Sequence, residues 1–399
     1  MMNNSDIEKY SLASDSWGNE EIDAINDVVK SNRFTMGEKV KTFETEFSKY
    51  FGVNHALMLN SGSSANLLAI ASLVFDENTD LNRGDEVIVP AVSWSTTYFP
   101  VNQYGLKLKF VDVCLDTLNI DVQKIESAIT KKTKAIFAVN LLGNPCNFKE
   151  LKDICDKNKL ILIEDNCESL GAKYNDKYTG TIGKIGTFSF FFSHHMQTME
   201  GGMLLTNDEK IYQLANSMRA HGWIRDLPEE NLLHNKSGNS FHDSFKFITP
   251  GYSIRPLEMS GAIGSVQLKK INANILQRRI NASTFETLFK DLSEHIIIQK
   301  EVGESSWFGF SLILKNKLEN NRDKLIEILI QNHIETRPIV AGNFTTNPVI
   351  KYLEHEISGS LKNADYLDKN GFFVGNDHRV LDKKIEKFYD IVKNFTDTI

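Results

Sequence analysis

Short apolar strands alternate with helical patterns along the first half of the chain, and this alternation restricts the fold most. Runs such as EVIVP (86–90), AIFAVN (135–140) and LILIED (160–165) are apolar along most of their length. Polar and apolar residues alternate with helical spacing in segments between them, such as FKELKDICDKN (148–158). Strands that are apolar on both faces indicate a parallel sheet covered by helices on both sides. The sequence therefore predicts an α/β fold with a mostly parallel sheet.

The second half of the chain has a different pattern. Residues 222–250 are polar and irregular, and a helical pattern follows at about 257–280. Shorter strands such as FGFSLIL (308–314) then alternate with helices. This pattern predicts a smaller α+β domain. We therefore divide the chain into a large cofactor-binding domain, residues 1–260, and a small C-terminal domain, residues 261–399.

Composition narrows the class of protein. The 399 residues are 41% hydrophobic and 24% charged, as in ordinary soluble proteins, and the net charge of -7 argues against a nucleic-acid partner. The polar N-terminus predicts no signal peptide, and no apolar run is long enough to cross a membrane. The four cysteines form no C-x-x-C or C-x-C pair. These features predict a cytoplasmic protein with free thiols, without a membrane partner and without a metal site.

Polar motifs follow several of the predicted strands, where ligands of parallel sheets bind. In NSGSSAN (60–66), Gly62 permits a tight turn, and Ser63 and Ser64 open a helix whose N-terminus suits a phosphate. Plain helix capping explains the same residues equally simply. In PAVSWSTT (90–97), Trp94 could stack on an aromatic ring or pack in the core.

The next two strands supply further polar residues. Asp165, at the end of LILIED, needs a partner if buried, and a protonated ring nitrogen or a helix N-terminus would serve. Glu168 could support a cofactor hydroxyl or the substrate, or be a solvated surface residue. Ser189, inside the predicted strand TFSFFF (187–192), could bind a phosphate or a backbone group.

Two histidines end this last predicted strand, before Glu-Gly-Gly. A lone histidine is usually structural, but His194 and His195 stand together in a segment that links two strands. An imidazole can move protons at a carbon atom near neutral pH, although it cannot form the stable imine that lysine forms. We assign proton transfer to His194 and a supporting or structural role to His195.

Six ordered motifs together resemble the DegT/DnrJ/EryC1/StrS sugar aminotransferase family. They are GSSAN, PAVSW, EDNCESLGA, FSFF…HH…EGG, GYSIRPLEMSGAIG (251–264) and ETRPIVAGN (335–343). The resemblance covers the chain from about residue 17 and implies the aspartate aminotransferase fold, type I of the PLP-dependent transferases. It also implies a homodimer with active sites shared between subunits. Family members carry the cofactor lysine six residues before the glutamate, where this chain has His194.

With histidine in place of lysine, the chain resembles the branch of the family whose members dehydrate nucleotide-linked 4-keto-6-deoxy sugars at C3. The resemblance implies pyridoxamine or pyridoxal 5′-phosphate (PMP or PLP) held without a covalent bond. One version of the branch carries a [2Fe-2S] cluster and a C-x-C pair after the histidine, but this chain has no cysteine after Cys167. The other version uses L-glutamate to regenerate PMP and acts on a GDP-linked sugar. We expect that version, with a hexose or heptose substrate, in dideoxysugar synthesis for O-antigen, lipopolysaccharide or capsular polysaccharide.

The resemblance also implies roles for individual residues. The predicted base is His194, and Arg337, with Arg255 as a rival, would bind the glutamate carboxylate or a substrate phosphate. Ser253 stands where the family usually has an asparagine that reaches the phosphate of the neighbouring subunit. The predicted cofactor-binding residues are Gly62, Ser63, Ser64, Trp94, Asp165, Glu168, Ser189 and Ser253.

Two other functions stay open at this point. A sugar aminotransferase could use histidine as an atypical base, and it would leave the amino nitrogen in the sugar. A non-catalytic protein could have lost its lysine, although such a protein would be expected to lose Trp94, Asp165 or the serines as well. The loop at 222–250 and the AGNFTTNP segment differ from the usual pattern of the branch, so the sugar is less defined than the reaction.

Overall fold

A computed structural model describes residues 9–399. The predicted alternation of strands and helices is present. The helices are α1 (Asn19–Ser31), α2 (Glu38–Phe51), α3 (Gly62–Phe75), α4 (Ser95–Gln103), α5 (Val122–Ala128), α6 (Phe148–Asn158), α7 (Glu209–Arg219), α8 (Ser240–Asp243), α9 (Glu258–Phe289), α10 (Arg322–Gln331), α11 (Lys362–Asn370) and α12 (Asp382–Thr398). None of the helices in this part of the chain is long and apolar enough to cross a bilayer.

The strands form one large sheet, one small sheet and a short hairpin. They are β1 (His55–Leu59), β2 (Glu86–Pro90), β3 (Lys107–Val111), β4 (Thr133–Val139), β5 (Ile161–Asp165), β6 (Lys173–Tyr174), β7 (Lys177–Tyr178), β8 (Ile185–Ser189), β9 (Gly202–Thr206), β10 (Ile296–Ile298), β11 (Gly309–Leu314), β12 (Thr336–Arg337), β13 (His355–Ile357) and β14 (Gly371–Gly375). The hairpin pairs β6 with β7.

The large sheet has eight strands in the order β1-β9-β8-β5-β4-β2-β3-β13. Only β9 is antiparallel to its neighbours, so the other seven strands run in one direction. Strands β2 and β8 are buried along their whole length, as their apolar composition predicts. This arrangement confirms the predicted α/β fold with a mostly parallel sheet.

The second half forms a four-stranded antiparallel sheet in the order β10-β11-β14-β12. Its core includes the stacked rings of Phe285 and Phe310, which lie 4.5 Å apart. Strand β13 comes from the same half of the chain but pairs with β3 at the edge of the large sheet. The domain boundary after residue 260 stays a prediction, and it falls within the first turn of α9.

The long helix α9 packs closely on α2. A Cβ atom on Gly261 would lie 2.6 Å from the Cα atom of Val40, so only glycine allows this approach. Glu258, the first residue of α9, accepts hydrogen bonds from the backbone N–H groups of Gly37 (2.6 Å) and Lys39 (2.7 Å) at the start of α2. Its carboxylate thus satisfies N–H groups that the helix cannot pair itself.

We predict that Glu258→Gln lowers the free energy of unfolding by about 2 kcal/mol, because the amide removes the charge and one of the two acceptor oxygens. Chemical denaturation of both proteins measures the difference. Glu38→Gln is the matched control, since Glu38 lies exposed in the first turn of α2 and should change the free energy by less than about 0.5 kcal/mol. Equal effects of the two substitutions would contradict this role of Glu258.

Candidate active site

The carboxyl ends of β1, β2, β5 and β8 lie at one edge of the large sheet, because these strands run in the same direction. The residues that follow them border a cavity of about 490 Å³. Most of the residues predicted from the sequence line this cavity. They are Gly62, Ser63, Trp94, Asp165, Glu168, Ser189, His194 and Arg337.

The turn after β1 packs directly against the end of β8. A Cβ atom on Gly62 would lie 2.6 Å from the Cβ atom of Ser189, so a larger residue would push the two strand ends apart. Ser61 is the N-cap of α3, and its Oγ accepts a hydrogen bond from the N–H of Ser64 (3.1 Å). This close packing places Ser63 and Ser189 in the wall of the same cavity.

Ser64 lies outside the lining of this cavity and borders an adjoining recess with Ser63. Its Oγ donates to the Oδ1 of Asn60 (2.6 Å). This motif therefore does cap a helix, because the side chain of Ser61 binds the N–H of Ser64. The phosphate-binding role of Ser64 stays a prediction.

Trp94 is not a core residue. Its side chain is 58% exposed and borders the cavity, immediately before α4. Behind it, the hydroxyls of Ser93 and Thr97 are hydrogen bonded at 2.8 Å. The structure therefore excludes the alternative of a tryptophan packed in the core, and the side chain is accessible to a ligand in the cavity.

Asp165 is a buried carboxylate whose partners are all neutral. Its Oδ2 accepts hydrogen bonds from Asn66 Nδ2 (2.8 Å) and Thr97 Oγ1 (2.8 Å), and its Oδ1 accepts from the N–H of Cys167 (3.1 Å). The last contact is a local turn bond rather than the helix cap considered as an alternative, because no helix begins between Asp165 and β6. No lysine or arginine of residues 9–399 forms an ion pair with Asp165. A cationic group in the cavity would supply the missing charge.

Glu168 belongs to the cavity wall rather than to the solvated surface. Its Oε2 accepts a hydrogen bond from the N–H of Leu142 (3.0 Å), a residue held in the left-handed region at φ 51°. The pKa of Glu168 is raised to about 7, mainly by burial and also by the charge of Asp165, whereas the Leu142 N–H and Arg337 oppose the shift. Glu168 is therefore poised to donate or accept a proton near neutral pH.

The histidines do not end a strand as predicted from the sequence. Strand β8 ends at Ser189 rather than at 192, because the chain turns and the N–H of His194 bonds the carbonyl of Phe191 (2.9 Å). His194 is half-buried in the cavity wall, and its Nδ1 has no hydrogen-bond partner within residues 9–399. Burial lowers the pKa of His194 to about 4, so the imidazole is neutral at pH 7.

His195 points away from the cavity. It is buried, and its Nε2 donates to the backbone carbonyl of Ser306 (3.0 Å). The contact fixes the tautomer of His195, because a carbonyl only accepts. His195 thus ties the turn to the second half of the chain.

Within one chain, the structure does not bring together Arg337, Arg255 and Ser253. Arg337, in β12, is exposed on the cavity wall, and within residues 9–399 it makes no ion pair. Ser253 and Arg255 lie outside the cavity, where Arg255 Nη2 donates to Ser253 Oγ (3.4 Å). The guanidinium of Arg255 also lies 5.8 Å from the ring of Trp223.

Sequence reasoning missed several residues of this site, three of which contact Asp165 or His194. Asn66 and Thr97, which hold Asp165, lie inside motifs that were recognised, and their small polar side chains beside a buried strand were the available signal. Phe308, whose ring centroid is 5.2 Å from that of His194, comes from the second half of the chain. No local pattern indicates such a distant contact. No group of residues suited to a metal ion occurs in the part of the chain described.

Comparison with known proteins agrees with this geometry. The DegT/DnrJ/EryC1/StrS aminotransferase family matches residues 15–393. The chain belongs to this family. A family member from Yersinia pseudotuberculosis, GDP-4-keto-6-deoxy-D-mannose 3-dehydratase, is 53% identical over 386 residues, which cover 96% of this chain and 98% of the relative.

Two solved structures of a GDP-4-keto-6-deoxymannose 3-dehydratase superpose on this chain with a TM-score of 0.94. Both are 52% identical, and the alignments cover 96% of this chain and 99% of each structure. One contains a trapped PLP–glutamate geminal diamine. The other is a histidine-to-asparagine variant with bound GDP-perosamine. These similarities confirm the predicted family and type I fold.

We predict that Glu168 makes the ligand-free protein less stable as the pH rises. Folding raises the pKa of Glu168 from 4.5 to about 7. The folded state therefore holds the proton more tightly, and its stabilising effect is lost as the pH rises from 4.5 through 7. Relative to Glu168→Gln, the wild-type free energy of unfolding should fall by about 1–3 kcal/mol across this range.

Denaturant titrations of the ligand-free protein at several pH values measure this difference. Glu356→Gln is the control, because Lys107 and Lys109 lower the pKa of Glu356 to about 2, below the range studied. A constant difference between wild type and Glu168→Gln from pH 5 to pH 8 would contradict the raised pKa.

Proposed function

We propose that the protein removes the C3 hydroxyl of GDP-4-keto-6-deoxy-D-mannose, with PMP as cofactor and L-glutamate as amino donor. The observation that carries the proposal is a neutral histidine at the cofactor-lysine position, in a site whose other residues suit that cofactor. The similarity to dehydratases of this substrate supports the same reaction. In this proposal, the histidine takes the place of the family's lysine as the proton-transfer group, and the enzyme stays active.

The residues of the cavity fit the cofactor. The buried carboxylate of Asp165, with neutral donors around it, suits a protonated pyridine nitrogen. The exposed face of Trp94 suits a flat ring, and Ser63 and Ser189 beside Gly62 suit a phosphate. When bound, the cofactor supplies an amino group and a ring that withdraws electrons.

His194 performs the proton transfers in this proposal. Since its imidazole is neutral at pH 7, it can take a proton from a carbon atom without first losing one. It can return that proton to the C3 oxygen, which then leaves as water. Histidine cannot bind the cofactor covalently as lysine does, so the cofactor amine stays available to the sugar. Glu168, with a pKa of about 7, is a second proton carrier in the same cavity.

Glutamate supplies the electrons that C3 deoxygenation needs. The sugar loses one oxygen atom, a two-electron reduction, while glutamate is oxidised to 2-oxoglutarate and its nitrogen leaves as ammonia. Arg337 is the candidate for the glutamate carboxylate or a substrate phosphate, because its exposed fork faces the cavity without an ion pair in residues 9–399. The trapped PLP–glutamate adduct of the related dehydratase supports glutamate as the donor.

We also propose that the protein is a cytoplasmic homodimer with shared active sites, in dideoxysugar synthesis for O-antigen, lipopolysaccharide or capsular polysaccharide. Ser253 and Arg255 lie outside the cavity of their own chain, which supports a contribution to the site of the second copy. Several large apolar side chains are also exposed in one chain and would be covered in a dimer. They include Phe34, Phe192, Phe247 and Leu257.

We predict that the protein, incubated with GDP-4-keto-6-deoxy-D-mannose, PMP and glutamate, yields a sugar without the C3 oxygen, together with ammonia. Mass spectrometry of the product measures this change. The corresponding CDP- and dTDP-linked sugars and a heptose analogue test the choice of nucleotide and ring. Nitrogen retained in the sugar would instead indicate an aminotransferase, and an unchanged sugar with every donor would indicate a non-catalytic protein.

His194→Lys tests the role of the histidine. A lysine at this position would compete with the substrate for the cofactor, so we expect at least a 100-fold lower rate of C3 deoxygenation, or about 3 kcal/mol in activation free energy. The cofactor should shift to the absorbance of a covalently bound imine. His195→Gln, beside it but outside the cavity, is the control and should keep most activity. Undiminished dehydration by His194→Lys would show that His194 is not the base.

A further inference from the structure

A buried arginine that forms no ion pair with a carboxylate of residues 9–399 lies behind the turn that carries His194. Arg278, in α9, is 5% exposed, and its Nη1 donates to the backbone carbonyls of Trp307 (3.3 Å), Phe308 (3.3 Å) and Asn376 (2.6 Å). Asp377 lies in the same region but forms its ion pair with Arg379 (2.6 Å). Burial of a guanidinium among neutral acceptors is costly, which suggests that the charge serves a purpose beyond packing.

Arg278 holds a strained backbone segment in place. Trp307 has φ 48°, in the left-handed region that bulky residues rarely adopt. The flanking N–H groups are also fixed, because Ser306 donates to the carbonyl of Gly143 (2.9 Å) and Phe308 donates to that of Leu142 (3.0 Å). A conformation of this kind persists only where several contacts enforce it.

This segment presents the ring of Phe308 to His194. The two ring centroids are 5.2 Å apart, and the ring centroid of His195 lies 5.8 Å from that of Phe308. The Phe308 ring therefore forms a wall against both imidazoles. Because Arg278 binds the carbonyl of Phe308 itself, a change at Arg278 reaches His194 through a single residue.

The charge of Arg278 also acts on His194 directly. Burial is the main cause that lowers the pKa of His194, and the positive charge of Arg278 acts in the same direction, against a contact with the Cys167 backbone. Neutral imidazole is the form that accepts a proton. Other ionisable groups that face His194 or share the cavity wall with it are Asp165, Cys167, Glu168, His195, Glu200 and Arg337.

We propose that Arg278 is a positioning residue for His194, which acts through the Trp307–Phe308 backbone and through its own buried charge. The importance of this role for catalysis rests on the proposed function, in which His194 is the base. The coupling between the two side chains does not depend on that function, because it follows from the contacts alone.

Two substitutions separate the backbone contacts from the charge. Arg278→Met removes both, so the pKa of His194 should rise by about 0.5–1 unit and kcat should fall about 10-fold or more, with KM changed less than about 3-fold. Arg278→Lys keeps the charge but loses the fork, so kcat should fall while the pKa of His194 stays within about 0.3 unit of wild type. NMR titration of histidine-labelled full-length protein measures the pKa, with His194→Asn to assign the signal.

Arg279→Met is the matched control. Arg279 is the next residue of α9, and it pairs with Glu301 (2.8 Å) and donates to the carbonyl of Ser305 (2.5 Å), in the same stretch of chain. Within residues 9–399, Arg279 forms no hydrogen bond with Trp307 or Phe308. The substitution should lower the free energy of unfolding. The pKa of His194 and kcat should stay at their wild-type values.

An unchanged titration of His194 in Arg278→Met overturns the proposal, as does an equal loss of kcat in Arg279→Met. If Arg278→Met does not fold, Arg278→Lys decides: a lower kcat at an unchanged His194 pKa supports the proposal, and an unchanged kcat overturns it. If Arg278→Met shifts the titration but the wild-type protein does not dehydrate the sugar, the proposed function fails while the coupling of Arg278 to His194 stands.

Discussion

The common direction of seven strands in the large sheet is the constraint on which the site depends. Parallel strands bring their carboxyl ends to one edge, so residues more than 120 positions apart, from Gly62 to Ser189, become neighbours. Strand β8 ends at that edge and the antiparallel β9 begins there, so the turn between them, which holds His194, lies at the same edge. The direction of the strands, rather than any local motif, therefore assembles the cavity.

Two adjacent residues of β5 have different roles at this edge of the sheet. Glu164 and Asp165 point to opposite faces, as successive residues of a strand must. Glu164 accepts hydrogen bonds from the N–H groups of Gly180 (2.6 Å), Ile182 (2.7 Å) and Gly183 (2.6 Å), so it organises the chain that leads into β8. Asp165 faces the cavity, with side-chain donors and one N–H around it. One carboxylate completes the fold, and its neighbour is available to a ligand.

The sequence was sufficient for most of the large sheet, because strands buried on both faces have an unmistakable apolar composition. It did not predict β13, whose residues are not buried. Most of the site residues predicted from the sequence line the cavity, since the strand ends carry the polar residues. The prediction from the sequence was wrong about the end of β8, where the apolar run Phe190–Phe192 continues after the strand has turned. It gave no sign of Phe308 beside His194, because that contact joins distant parts of the chain whose approach depends on the packing of two sheets. The site roles of Ser64, Ser253 and Arg255 stay predictions.

Strand β13 adds a mechanical consequence. Although it belongs to the second half of the chain, it pairs with β3, and Glu356 forms ion pairs with Lys107 (2.7 Å) and Lys109 (2.6 Å) across this junction. A rigid rotation of the second half away from the first would have to break these bonds. The wall that carries Phe308 and Arg337 is thereby tethered to the sheet that carries Asp165. Access for a bulky substrate then depends on loop movement rather than on the opening of a cleft between two domains.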